Sequence, residues 1–308
     1  CAVAAVGFNR RWDRGGEGCV VCENTGTPRR AFPTGMGRNQ WPIYAAITLS
    51  GVTAMIYELV WIRIFSVTLG SSTYSFTLML AAFITGIALG STAVGVIPWV
   101  RRNPLTAFAI AEVAISFAII AGIPQYEKLP YIFWKWAYLL NRTEDTFGLF
   151  NFVKYSLCFA IMAIPTFFFG MTLPLAMKSS MRRDEQIGRD SGMIYGANTA
   201  GNIAGALLAG VVLIPLTGLR HSLEIALLAN VGIGVLLLWF AQIPYRRSIA
   251  GIACGLAVVF VLILPQWSPT SLASGSFRSL HYRPPSSWRD YKAINKDSKV
   301  LFSGEDGS

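Results

Sequence analysis

The chain has 308 residues; 53% are hydrophobic and only 14% are Asp, Glu, Lys or Arg. With a mean hydropathy of +0.48, that charge fraction, against roughly 25% in soluble domains, excludes an ordinary soluble globular fold and points to a polytopic membrane protein. The formal charge of +10 is read as topology charge gathered in cytoplasmic loops, not as a sign of nucleic-acid binding.

Residues 1–40 are polar, Gly-rich and basic, with Arg10, Arg11, Arg14, Arg29, Arg30 and Arg38. They read as a flexible arm that orders only against a partner. Cys19 and Cys22 form a lone C-x-x-C. A structural zinc site needs a second pair or histidines at matching spacing, and the only histidines are the distant His221 and His281, so no metal is expected. Cys158 and Cys254 sit in apolar runs and read as packing residues. Cys1 opens the numbering; a lipidated mature N-terminus and a truncation both stay open.

From residue 41 the expected fold is all-α: a membrane helix bundle of about seven transmembrane helices over 41–265, each near the 20 residues a hydrocarbon core requires. The first span covers 41–57, with a helix continuing toward Leu69, and the second covers 73–99, ending at Arg101 and Arg102. The third covers 104–122 and contains Glu112. Residues 123–147 mix prolines and charges with Tyr131, Phe133, Trp134, Trp136 and Tyr138, which suits a short amphipathic helix at the interface. The fourth span, 150–177, carries Pro165 and Pro174, so a kink is expected. The fifth, sixth and seventh cover 192–216, 222–242 and 248–264. Residues 266–308 are polar and read as a linker approaching a soluble domain.

Basic residues concentrate between spans two and three, four and five, and six and seven. That orientation makes the N-terminal arm cytoplasmic and puts the tail on the far side. The tail is itself basic, with Arg278, Arg283, Arg289, Lys292, Lys296 and Lys299. The conflict points to a miscounted span, first of all at a re-entrant or broken helix near Glu58–Gly70.

The stretch Leu49–Ser91 organises the rest. It sets Glu58, Trp61 and Arg63 near the end of an apolar helix, as E-x-x-W-x-R. Charges there persist where they pair, face a bundle interior or reach the headgroups. Glu58 and Arg63 are five positions apart, so a straight helix points them in different directions; a break near Val60 would join them. Two readings stay open: a structural ion pair, or a substrate or proton site with Glu112 as its third member. Gly86 with Gly90, and Gly201 with Gly205, have the four-residue spacing that lets helix backbones approach closely. Asn198 and Asn202 share a helix face and are expected to hydrogen-bond between helices.

In order, the motifs Tyr57-Glu58-x-x-Trp61-x-Arg63, Gly70-Ser71, Gly86–Ser91, Gly170-Met171-Thr172-Leu173-Pro174, Tyr195-Gly196-Ala197-Asn198-Thr199-x-Gly201 and Leu213-Ile214-Pro215-x-x-Gly218 resemble the spermidine synthase-like integral membrane proteins. That family joins a multi-span region to an aminopropyltransferase-type domain. Leu272-Ala273-Ser274-Gly275 resembles its linker, and Val300-Leu301-Phe302 its first soluble strand. The resemblance implies a polyamine link, but no Gly-rich nucleotide loop follows a strand here and no carboxylate pair has a general-base setting. No catalytic residue and no cofactor is therefore assigned. The expected function is a non-catalytic membrane scaffold or accessory subunit in a bacterial inner (cytoplasmic) membrane. Its expected partners are the lipid bilayer and other membrane-protein subunits, without nucleic acid. A transporter-like protein for a small cation or polyamine is the alternative, and a truncated aminopropyltransferase-type enzyme the second.

Overall fold

Apolar residues on every side of a helix leave it no soluble face, so such helices bury one side in protein and turn the other toward lipid. The computed structural model follows that rule. It describes residues 40–70, 72–140, 146–180, 187–241, 246–263, 267 and 283–296, all of them helical or in short connections. The expectations at Cys1, Cys19, Cys22, the loop 181–186, the linker 268–282 and the strand at Val300–Phe302 lie outside the described residues.

The helices, in order, are α1 (Trp41–Leu69), α2 (Thr73–Val96), α3 (Pro98–Arg102), α4 (Pro104–Tyr126), α5 (Leu129–Leu139), α6 (Phe147–Ser180) and α7 (Ile187–Leu207). A π-helical segment (Leu208–Leu213) leads into α8 (Ile214–Phe240), followed by α9 (Arg246–Ile263) and α10 (Trp288–Lys296). Proline opens α1, α3, α4 and α5, where its missing N–H has no intrahelical partner to lose. At the start of α2 the Ser72 hydroxyl accepts the Ser75 N–H at 3.2 Å, a side-chain cap on an otherwise open amide.

Five helical runs are long and apolar enough to cross a membrane: α1, α2, α4, α6 and the joined run Ile187–Phe240 of 54 residues. Two expectations about chain breaks are corrected. The helix through Glu58 is unbroken for 29 residues, so no re-entrant segment lies between Glu58 and Leu69. A break does fall at Gly218, in the link expected between the spans 192–216 and 222–242, with φ 78° and ψ 171°. That backbone is easy for glycine and strained for any other residue, which is why the chain turns there. The expected helix over 73–99 ends earlier, at Val96, because Pro98 restricts the residue before it. Pro124, Pro165 and Pro174 lie inside helices that continue past them. The interfacial segment contains α5, as its aromatic and charged pattern leads one to expect.

Directions follow from the contacts. Gly201 and Gly205 of α7 meet Thr48 and Val52 of α1, so these helices run parallel. Gly86 and Gly90 of α2 meet Thr166 and Phe167 of α6, also parallel. Ser116 bonds Leu227 while Gly234 abuts Ala109, so α4 and α8 run antiparallel. One end of the bundle holds Gln40, whose amide donates to Ser180 O at 2.7 Å, and the Trp41–Phe240 ring pair. The other end holds Trp267, whose indole donates to Ile123 O at 3.0 Å. There α10 docks on α5: Tyr291 is buried among Tyr131, Trp134 and Trp288, and Lys292 pairs with Glu127 at 3.0 Å.

The interior divides into two apolar clusters. One gathers Ile43, Ile47, Phe108, Leu175 and Ile233; the other gathers Tyr57, Trp61, Ile119, Tyr126 and Phe133. Between them, on α1, α4 and α8, lies a layer of buried polar side chains.

Candidate functional site

The E-x-x-W-x-R motif does not form the pair its sequence invites. Glu58 and Arg63 are both half-buried, but Glu58 forms no ion pair or hydrogen bond with any described residue. The physical reason is the straight helix, which turns positions five apart to different faces. Glu58 lies two turns beyond Gly51, which puts it on the stripe of α1 that faces α7. Trp61 faces the interior instead. It is fully buried, stacks on Tyr57 at 6.0 Å, and donates its indole N–H to the Tyr126 hydroxyl at 3.0 Å. That bond links α1 to α4.

The four glycines singled out for packing all lie against neighbouring backbone or side chains. A Cβ on Gly90 would run into the carbonyl of Phe167, and one on Gly86 into the Thr166 hydroxyl. A Cβ on Gly201 would strike the carbonyl of Thr48, and one on Gly205 lies 2.5 Å from that of Val52. Asn198 and Asn202 flank Gly51 of α1, where a notional Cβ sits 2.7 Å from both Asn198 O and Asn202 Oδ1. The interhelical hydrogen bonds expected of these two asparagines are not made; neither side chain bonds a described residue.

The same spacing recurs where nothing fills it. Gly188, Gly192 and Gly196 step along α7, and Gly251 and Gly255 along α9; a Cβ at any of the five would meet nothing within 4 Å. Exposed Met193, Tyr195 and Ile203 accompany the first row, and Ile252 and Leu256 the second.

Glu112 lies within the interior polar layer and is 0% exposed, and its carboxyl oxygens have no hydrogen-bond partner beyond the Ser50 hydroxyl. The Ser50 hydroxyl stands beside it, and Tyr57 is an electrostatic neighbour. Glu58 and Glu112 therefore belong to different environments, and the three-member site of Glu58, Arg63 and Glu112 is not assembled. Sequence reasoning passed over Asn230, which is also fully buried with both amide atoms unpartnered. Its signal was available: a lone amide inside the apolar run Leu227–Leu238.

Three further buried charges sit toward the Gly218 end. Arg220 and Glu224, one turn apart, pair at 2.8 Å just beyond the break. The Lys154 ammonium lies 3.3 Å from Ser75 Oγ and 4.8 Å from the Phe150 ring centroid, with the Phe150 face supplying cation–π attraction. Beside Ser75, a cleft of about 360 Å³ opens between the end of α1 and the start of α2, lined by Ile62, Phe65, Ser66 and Phe76 among others. Among the described residues no three His, Cys, Asp or Glu side chains converge as a metal site.

The fold and its faces define a class, the α-helical membrane proteins. Comparison of the chain with protein-family models, with curated proteins and with solved structures returns no match.

Proposed function

We propose that this protein is a membrane scaffold or accessory subunit whose outer helices seat the helices of partner subunits. The observation that carries the reading is the contrast between filled and open glycine rows. Gly86 with Gly90, and Gly201 with Gly205, each receive a neighbouring helix, whereas the rows on α7 and α9 present the same spacing to empty space. Within a bilayer, helices associate through close packing at small residues, because lipid offers no hydrophobic driving force between them.

The reading takes the chain as crossing the membrane seven times. Gly218 divides the 54-residue run into two crossings of opposite direction. The 18-residue α9 adds the last, running from the Phe240 end toward Trp267. The end bearing Arg101, Arg102 and Ser180 is then cytoplasmic by its basic residues. The all-helical build and the order of motifs resembling spermidine synthase-like membrane proteins support placement in a bacterial cytoplasmic membrane.

The test is extraction of the full chain from its native membrane in mild detergent, followed by native-gel sizing and mass spectrometry of co-migrating chains. The expected result is one discrete assembly containing other membrane subunits. Gly192→Leu and Gly255→Leu should release the chain from it while leaving the thermal stability of the released protein unchanged. A lone monomer, or an assembly indifferent to both substitutions, refutes the reading.

A further inference from the structure

We propose that Glu112 and Asn230 are the principal ligands of a mid-membrane site for one small monovalent metal cation of the sodium class. The inference is independent of the assembly role.

Register brings the two side chains together. Ser116 Oγ donates to Leu227 O at 3.1 Å, and Gly234 abuts Ala109 and Val113. Glu112 lies one turn from Ser116 and about one turn from Ala109; Asn230 lies one turn from Leu227 and about one turn from Gly234. On antiparallel helices these positions stand opposite each other at one depth. Both side chains are 0% exposed; neither amide atom of Asn230 has a hydrogen-bond partner, and the Glu112 carboxyl has none beyond the adjoining Ser50 hydroxyl. The Tyr57 hydroxyl is buried and unpartnered too, and Ser50 stands beside the carboxyl.

Buried polar groups are almost always satisfied, because leaving one without a partner costs about 1–3 kcal/mol or more. Four oxygens in one layer, two of Glu112 and one each of Asn230 and Tyr57, therefore call for an occupant that supplies what they lack. The available donors are oxygens: the carboxylate, the Asn230 carbonyl, and the hydroxyls of Ser50 and Tyr57. Oxygen sets suit hard cations. One carboxylate balances one positive charge, so a monovalent ion leaves the site neutral, and neutrality is the cheapest state in a medium of low dielectric. Calcium takes six to eight oxygens and magnesium keeps several waters; a single carboxylate between apolar clusters meets neither requirement. The clusters above and below exclude water, and the bonded Trp61–Tyr126 pair stands on the Tyr57 side of the layer.

The experiment is equilibrium dialysis of the purified full chain in detergent against radioactive sodium and, separately, rubidium, at constant ionic strength set with choline chloride. The expected result is saturable binding of one ion per chain, with affinity reduced about ten-fold or more in Glu112→Gln and in Asn230→Leu, as loss of a ligand contributing at least 1.4 kcal/mol requires. A thermal scan of each variant shows whether it is folded, and the wild-type titration stands by itself if one is not. Absence of saturable binding of either ion by the wild-type chain overturns the proposal, including the case in which Glu112 exchanges only protons. Undiminished binding by a folded Glu112→Gln or Asn230→Leu chain overturns the assignment of the ligands.

Discussion

The seam between α2 and α6 offers the sharpest test of how the bundle is held. Gly86, Gly90 and Gly170 bring the two backbones so close that a methyl group on Gly90 would overlap the Phe167 carbonyl. The carbonyl is backbone and has no rotamer into which to retreat, so Gly90→Ala must push the helices apart. Overpacking of this kind costs about 1–3 kcal/mol. Alanine returns up to about 1 kcal/mol of helix propensity, leaving a net loss of about 1–2 kcal/mol. At about 2–4 °C per kcal/mol for a chain of this size, Tm should fall by about 2–8 °C. Cys158 is fully buried, so a chain keeping it as the sole cysteine reports unfolding through its reaction with a thiol-reactive dye. Gly192→Ala is the control, since its Cβ enters open space and only the propensity gain remains. An unchanged or higher Tm for Gly90→Ala, or an equal fall for Gly192→Ala, would refute the close-approach argument.

Other expectations follow from single contacts. The Trp61–Tyr126 bond of 3.0 Å should show a coupling of about 0.5–1.5 kcal/mol in a double-mutant cycle of Trp61→Phe and Tyr126→Phe read by the same thermal assay; additive effects would remove it. Glu224→Gln takes away the carboxylate bonded to buried Arg220, which keeps a further partner, and should cost about 1.5–3 kcal/mol, the range for a hydrogen bond to a charged group. Tyr291→Ala empties the aromatic pocket between α5 and α10 and should speed amide exchange across Trp288–Lys296. Lys292→Ala, whose side chain is 44% exposed in its pair with Glu127, should change that exchange little and only at low salt. Glu58→Gln should leave the stability within about 0.5 kcal/mol of wild type in the same thermal assay, because the carboxylate has no described partner.

Much of the helical layout was legible because its cause is local. Hydropathy over some twenty residues marks a span, and Pro42 and Pro104 mark beginnings. The aromatic and charged pattern around Trp134 marked α5. Glycine spacing likewise picked out Gly86 and Gly201, since four-residue periodicity is a property of one helix. It did not distinguish them from Gly192 or Gly251, which have equal spacing and no neighbour. Whether a glycine row is filled depends on which helices lie alongside, and that information is not local.

The same limit explains the polar residues. Glu58 and Arg63 are adjacent in sequence and drew attention, yet a straight helix separates them. Glu112 and Asn230 stand more than a hundred positions apart and lie at one level only because α4 and α8 pack antiparallel in one register. The α-helical character, the positions of the apolar runs and the faces carrying small residues were determined by the sequence alone, because backbone hydrogen bonds in lipid must close within each segment. The break at Gly218 falls in the link that hydropathy already left between residues 216 and 222; the pairing of helices and the gathering of buried oxygens in one layer were decided only by tertiary structure. Each depends on side chains brought together from distant helices, and packing contacts carry no periodicity along the chain.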